Sequence, residues 1–299
     1  MKYIHKLHIK IFIVILFYTL NSCNNEKLNY IIYYQKVNEI DSLYRFHNQP
    51  KIAIEKYKKL FNEYEPKNQE TIREYETYIV LADKYNIDFG GKKSLKKLIY
   101  LTAPYDVFNS GKEYYPLYNK YGIDSIEVKT LINKWKISLN KTLVDSMTIA
   151  MIRDQRNRSD RDSRIIADSK NSNLLIRIFD KYGYPSIYKV GFKGNNDINI
   201  NIRTIILHMA ESKDYEYLKK KLYEYVKSGE CPPRVYSEFT DRHEAIKNKK
   251  ILYGDWGIFE NIDSTSLDKN RKAIGLPSLK HLQKLRKDRH AFENLIEKL

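Results

Sequence analysis

The fold is decided by residues 52–85, which read IAIEKYKKLFNEYEPKNQETIREYETYIVLADKY. Apolar side chains recur there every three or four residues, the spacing that places them on one face of a helix. They are Ala53, Tyr57, Leu60 and Tyr64, then Ile72, Tyr75, Ile79 and Ala82. Pro66 and Asn68 interrupt the pattern between the two sets, where a turn and a helix cap are expected. The stretch therefore predicts two antiparallel helices that pack through their apolar faces.

Helical spacing continues along most of the chain. Further helices are predicted at residues 92–101, 125–139 and 279–299, and Ile126, Leu131 and Trp135 supply the apolar face of the second of these. Residues 198–202 instead alternate Ile with Asn, which predicts a short edge strand or hairpin. We therefore predict a mainly α fold, with helical hairpins over residues 23–141. A mostly helical domain over residues 142–299 follows, which leaves room for a short β-hairpin.

The helix pair in residues 52–85 resembles a tetratricopeptide unit in its length and in its Ala, Tyr and Leu content. The resemblance covers about one and a half repeats, whereas at least three are normally needed for independent stability. The helical hairpins themselves predict that the amino-terminal region contacts a protein partner. A plain helical bundle is the alternative interpretation.

The first 22 residues have the layout of a bacterial signal peptide. Lys2, Lys6 and Lys10 give a positive start, and residues 11–18 form an apolar run. The run is too short to cross a hydrocarbon layer as a helix, which takes about 20 residues. Residues 1–22 are therefore predicted to be a targeting segment that is removed.

Leu20, Asn21, Ser22 and Cys23 close this segment. The four residues resemble the lipobox of bacterial lipoproteins, with Asn21 where the motif usually has a small or aliphatic residue. The resemblance implies that Cys23 becomes the first residue and carries acyl chains such as palmitate, which anchor the protein to the outer or inner membrane of the cell envelope. The body would then face the periplasm or the cell surface. An ordinary secretory signal followed by a chance cysteine is the alternative.

The composition bears on partners and on disulfide bonding. The chain carries a net charge of +16, which falls by three, to +13, when Lys2, Lys6 and Lys10 are removed. The lysines are spread between Glu, Asn, Ile and Tyr rather than gathered in a patch, so we predict no binding to nucleic acid. Cys23 and Cys231 are the two cysteines, so the mature chain has no thiol pair for an internal disulfide.

Spaced polar and small residues form an ordered series in the second half. They are Asp154, Gln155, Arg158, Asp168, Asn171, Gly183, Tyr184, Pro185, Gly191, His208, Ala210, Asp241, Arg242, Tyr253 and Gly254. This series, within residues 151–279, resembles an uncharacterised bacterial family, the domain of unknown function six-six-two-four. The family more often has Trp at position 184, and Thr and Gln where this chain has Asp255 and Trp256. It implies no established reaction, so the chemistry must be inferred from the residues.

Nine of these residues are candidates for a catalytic or ligand-binding site. They are Asp154, Gln155, Arg158, Asp168, Asn171, His208, Asp241, Arg242 and Tyr253. In one hypothesis Asp241 orients His208 as a general base. Arg242, with Arg158 or Arg156, would then hold an anionic group and Tyr253 would donate a hydrogen bond. In the other, His208 is a core histidine and the charged residues form a structural ion-pair network.

Two functions follow from these hypotheses. The first is a binding module outside the cytoplasm, which holds a protein partner through its amino-terminal helices or a small polar or anionic ligand through its second half. The second is a hydrolase-like enzyme with a His, Asp and Arg pocket.

One stretch begins like a zinc-protease motif, with His243 and Glu244, but Lys247 stands where the second ligand histidine belongs. The sequence thus predicts no metal site and no cofactor, and Cys231 lacks the pattern of a nucleophile.

Overall fold

The computed structural model describes residues 28–69, 71–108, 112–156, 158–256 and 263–296, with side chains up to residue 288 except those of residues 108 and 112. The predicted signal peptide, residues 1–22, and the predicted lipidation site Cys23 lie outside these ranges. The fold is mainly α, as predicted. In the described ranges, no helix combines the length and the apolarity needed to span a membrane.

The first half of the fold is a series of helices that pack against their neighbours in the chain. In chain order they are α1 (Tyr30–Arg45), α2 (Pro50–Glu63), α3 (Glu74–Lys84), α4 (Gly91–Thr102), α5 (Tyr115–Lys120) and α6 (Ser125–Ser138). The two helices predicted within residues 52–85 are α2 and α3. Every apolar residue assigned to their shared face is buried, which confirms that prediction.

The second half continues with helices of very different lengths. They are α7 (Lys141–Gln155), α8 (Arg161–Tyr182), α9 (Ile187–Val190), α10 (Ile202–His208), α11 (Tyr215–Ser228), α12 (Pro233–Lys247), α13 (Ser264–Ala273) and α14 (Leu279–Ile296). Side-chain caps begin several of them, because a carboxylate or amide oxygen accepts a hydrogen bond from a free N–H of the first turn. Such caps are Asn140, Asp160, Asn201 and Asp263.

The predicted strand at residues 198–202 is reduced to one antiparallel bridge between Lys193 and Asn199. The Gly194 N–H donates to the Ile198 carbonyl over 2.8 Å, and the Ile200 N–H donates to the Phe192 carbonyl over 2.9 Å. The pairing stops there because Asn201 caps α10, so the chain turns into a helix where the alternation of Ile and Asn predicted an extended strand.

One outward-facing residue corrects the sequence analysis. Ile126, assigned to the apolar face of α6, has 73% of its surface exposed, whereas Trp135 on the same helix is buried as predicted. α6 packs mainly against α4 and the 3-10 turn Ala103–Phe108, so only one narrow stripe of it is covered. The spacing of apolar residues in the sequence does not reveal how wide the covered stripe of a helix is.

The hydrophobic core is continuous from α1 to α14 and runs across the boundary predicted at residues 141 and 142. α1 lies along the carboxyl-terminal part of the chain. The Gln35 amide donates to the Lys272 carbonyl and the Asn38 amide to the Gly275 carbonyl, over 2.8 and 3.0 Å. Further along α1, Asp41 contacts His281 over 2.6 Å. These contacts join the first and last described helices.

A buried carboxyl group lies beneath the amino-terminal hairpins. Glu74, at the start of α3, is fully buried and accepts hydrogen bonds from the Tyr33 hydroxyl and the Gln69 N–H, both over 2.8 Å. Burial raises the pKa of Glu74 from 4.5 to about 7, and these hydrogen bonds oppose the rise. Near neutral pH this carboxyl is thus partly protonated in the folded protein.

We predict that Glu74 makes the folded protein less stable as the pH rises from about 5 to about 8. In that range the folded state binds more protons at Glu74 than the unfolded state, so deprotonation favours unfolding. Glu74→Gln keeps a neutral side chain at every pH and should remove about 2 to 3 kcal/mol of this dependence. The free energy of unfolding, measured in urea at several pH values, is the readout. Exposed Glu55→Gln is the control, and the same pH profile in both variants would contradict the prediction.

Candidate functional site

The nine candidate residues form two separate groups in the structure. The first is the Asp154 cluster, which is made of Asp154, Gln155, Arg158, Asp168, Asn171 and His208. The second is the Asp241 cluster, which is made of Asp241, Arg242 and Tyr253. The sequence series therefore marks two structural features.

The carboxylate of Asp154 is the centre of the first cluster. This residue is fully buried at the end of α7, and its Oδ1 lies 2.7 Å from His208 Nδ1 on α10. Arg158 Nη1 donates to the same oxygen over 3.0 Å and to Asp168 Oδ1 on α8 over 3.0 Å. The Gln155 amide donates to Asp154 Oδ2 over 2.5 Å. One carboxylate thus joins α7, α8 and α10.

The short connection between α7 and α8 places Arg158 for this role. α7 ends at Gln155, and Asp160 caps α8 by accepting a hydrogen bond from the Ser163 N–H over 2.8 Å. The chain therefore reverses within a few residues, and Arg158 lies between the two helices. Deeper in the pair, Asn171 donates to the Ala150 carbonyl over 3.1 Å and accepts from Arg153 Nη1 over 3.0 Å. The two helices are held together at both places.

The electrostatics of the cluster favour an ionised Asp154. Burial alone raises the pKa of Asp154, but the hydrogen bond from His208 and the charges of His208 and Arg158 outweigh burial and leave the pKa below 3.8. An ionised carboxylate orients His208 through Nδ1, and the described residues supply no hydrogen-bond partner to Nε2. This is the geometry of a carboxylate-oriented imidazole.

Asp241 does not orient His208, which corrects the first hypothesis. Its Oδ1 accepts hydrogen bonds from the N–H groups of Leu252 and Tyr253 over 2.8 and 2.9 Å, and its Oδ2 accepts one from the Asp255 N–H over 2.8 Å. Both oxygens are therefore occupied by the backbone of residues 252–255. Asp241 shapes a loop, and Asp154 takes the place beside His208 that was assigned to it.

The other two members of the Asp241 cluster also serve local packing. The Arg242 guanidinium lies 5.0 Å from the Trp256 ring centroid, and its Nη2 lies 3.4 Å from Glu211. The Tyr253 ring lies 6.1 Å from that of Tyr236 and is hydrogen-bonded to it, and burial together with this neighbour raises the Tyr253 pKa well above its usual value. Among the described residues, neither Arg242 nor Tyr253 makes a hydrogen bond or an ion pair with a member of the Asp154 cluster.

Sequence reasoning missed the ion pair that supports this loop. Arg271 on α13 is 1% exposed, and its Nη1 donates to Asp255 Oδ1 over 2.9 Å and to the Tyr253 carbonyl over 2.7 Å. Asp255 is one of the three positions at which the sequence departs from the family that it was said to resemble. It lies 16 residues from Arg271, so no local spacing in the sequence links the two.

A groove of about 520 Å³ runs between α7 and α8, beside the Asp154 cluster. The residues that line it are Ile149, Ile152, Arg153, Arg156, Ser163, Ile166, Ala167 and Lys170. None of the nine candidate residues lines the groove. Four of the candidates instead lie behind the groove and hold together α7 and α8, the two helices that form its walls. They are Asp154, Arg158, Asp168 and Asn171.

Two other chemical possibilities can be compared with the structure. In the described ranges, no group of three or more His, Cys, Asp or Glu side chains is arranged to hold a metal ion. Cys231 is fully buried, and burial raises its pKa far above the usual value, so its thiol stays protonated. A protonated, inaccessible thiol is a poor nucleophile.

We predict that Asp154→Asn destabilises the fold by about 1 to 3 kcal/mol, the cost of leaving buried hydrogen-bonding groups without a charged partner. Because the pKa of Asp154 is lowered, its contribution is complete at neutral pH and is lost as the pH falls towards that pKa. Urea denaturation at neutral and acidic pH measures the effect. The control is the exposed Asp162→Asn on α8, expected to cost less than about 1 kcal/mol. Equal losses in the two variants would show that the cluster is not a clamp.

The chain matches no family model, no curated protein and no solved structure. Its function is therefore inferred from its own residues and their geometry.

Proposed function

We propose that this protein is a lipid-anchored component of the bacterial cell envelope that binds a partner or ligand outside the cytoplasm. The observation that carries the binding role is that the charged groups of Asp154, Asp168 and Arg158 are already paired with one another. The carboxylates of Asp154 and Asp168 are bonded to Arg158, and Asp154 is bonded to His208 as well. The cluster thereby stiffens the walls of an open groove.

The distribution of polar groups supports binding over catalysis. A hydrolase needs a nucleophile or an activated water beside its general base, together with a group that stabilises developing charge. Arg158, assigned to that last role, already donates to two carboxylates and to the Asp154 carbonyl. The groove is lined by none of the three residues Asp154, Arg158 and His208.

The amino-terminal sequence supports the envelope location. The positive start, the short apolar run and the sequence ending in Cys23 are typical of a lipoprotein precursor. α1 begins at Tyr30, so residues 24–29 would be the whole tether between the lipid and the folded body. Six residues span at most about 20 Å. The body would therefore stay close to the bilayer surface.

We predict that Cys23→Ser releases the protein from the membrane fraction, because the thiol that would carry the acyl chains is gone. Fractionation of the producing cells and mass spectrometry of the purified amino terminus measure the change. Ser22→Ala is the matched control, since it keeps a small residue before Cys23 and should preserve acylation. An unmodified Cys23 thiol in the native protein, or an intact leader, would contradict the proposed anchor.

A hydrolase-like enzyme is the second candidate, favoured by the pair of His208 and Asp154. In that case Nε2 would take a proton from water or from a substrate hydroxyl while Asp154 holds the ring. His208→Asn tests this, because the amide can still donate to Asp154 but cannot act as a base near neutral pH. For a binding protein we expect this variant to complement a deletion strain. Lost complementation with unchanged thermal stability would favour the enzyme.

A further inference from the structure

We propose that the groove between α7 and α8 binds an acidic amphipathic helix of a partner protein. This inference rests on the proposed binding function and names the class of partner. It is carried by the shape of the groove, by its exposed isoleucines and by its unbalanced positive charge. The groove residues defined above belong to two regular stripes, one on each helix.

The two stripes have the spacing of a single helix face. On the α7 side the lining residues are at positions 149, 152 and 153 and at 156, the residue that directly follows the helix. On α8 they are at positions 163, 166, 167 and 170. Each set follows the i, i+3, i+4, i+7 pattern. With a rise of 1.5 Å per residue, each stripe extends about 10 Å, the length of two helical turns. The groove is thus long enough for two turns of a docked helix.

The floor and walls of the groove are apolar yet open to solvent. Ile149, Ile152 and Ile166 have 54%, 50% and 54% of their surfaces exposed. Ala167, with its small side chain, forms the floor and leaves room for a close approach. Three half-exposed isoleucines around one depression are the arrangement in which an apolar partner gains most from burial.

The charged side chains that line the groove are all positive. Arg153, Arg156 and Lys170 line the groove, and no lining residue is acidic. Asp154 and Asp168, which adjoin lining residues in the sequence, are turned towards Arg158. The exposed Asp162 precedes Ser163 but does not line the groove. A partner that places Asp or Glu beside its apolar residues would therefore meet complementary charge, which guides association and register.

The concave shape favours a helix over a lipid surface. A bilayer is flat on this scale and would contact the rim of the groove while leaving Ala167 uncovered. An amphipathic helix instead inserts its apolar side chains between two walls, and its anchors recur at the same i, i+3, i+4, i+7 spacing. The Asp154 cluster fixes the distance between these walls, so the groove is formed before the partner arrives.

Photo-crosslinking in the producing cells tests the proposal on the full-length protein. Benzoylphenylalanine replaces Ile152 or Ile166 in the groove, and Ile165 or Ile137 outside it. Ile165 matches Ile166 in exposure at 54%, and Ile137 is 84% exposed on α6. We expect crosslinks from the groove positions to one protein segment with Asp or Glu flanking an apolar face, and none to this segment from the controls.

Charge reversal then tests the role of the cations. Arg156→Glu combined with Lys170→Glu should lower the crosslinking yield at Ile152 about tenfold, because attraction becomes repulsion. Arg177→Glu, an exposed position further along α8, should leave the yield unchanged. Circular dichroism and thermal melting of each variant confirm that the fold is intact.

The outcomes separate this inference from the proposed function. Crosslinks from the groove to a basic or neutral segment, or to lipid, would overturn the acidic helix while leaving a binding role in place. Equal crosslinking from groove and control positions would overturn the groove as a docking site. Acylation of Cys23 is measured independently, so a failure here does not affect the proposed anchor.

Discussion

The second half of this protein depends on one buried carboxylate. Asp154 is inaccessible to water, yet it stays ionised because His208 and Arg158 both lie within 3.0 Å of its Oδ1. Burying a charge without such partners would cost several kcal/mol. Because Arg158 also binds Asp168 on α8, these contacts hold α7, α8 and α10 together. The shape of the surface between α7 and α8 therefore depends on them.

The same solution recurs elsewhere in a strongly basic chain. Asp41 on α1 is buried between Arg45 and His281, and Asp288 extends that contact through Arg45. Glu238 on α12 is buried beneath two half-exposed arginines, Arg203 and Arg234. Asp41 and Glu238 are each paired with at least one cation from a different helix. Glu74 and Asp241 instead rely on neutral hydrogen-bond donors. Ion pairs of buried carboxylates thus connect neighbouring helices.

The sequence predicted features that depend on neighbours in the chain. The faces of α2 and α3 followed from apolar spacing. The partner of His208 could not be found in this way. Asp154 and Asp241 are both acidic and both far from it in the chain, and only the packing of α10 against α7 decides between them. The exposure of Ile126 was missed for a related reason, since it depends on how many neighbours α6 has.

The contacts along α1 also define how the carboxyl-terminal part of the chain is oriented relative to this helix. Four residues of α1 contact the carboxyl-terminal part of the chain, and the contacts follow the same order in both segments. The pairs are Gln35 with Lys272, Asn38 with Gly275, Asp41 with His281, and Arg45 with Asp288. The carboxyl-terminal part of the chain therefore runs parallel to α1, and each successive contact lies nearer the carboxyl end of α1. α14 meets Arg45, the last residue of α1, at Asp288 and continues to Ile296. Truncating the chain before α14 would therefore leave Asp41 without His281 and Arg45 without Asp288.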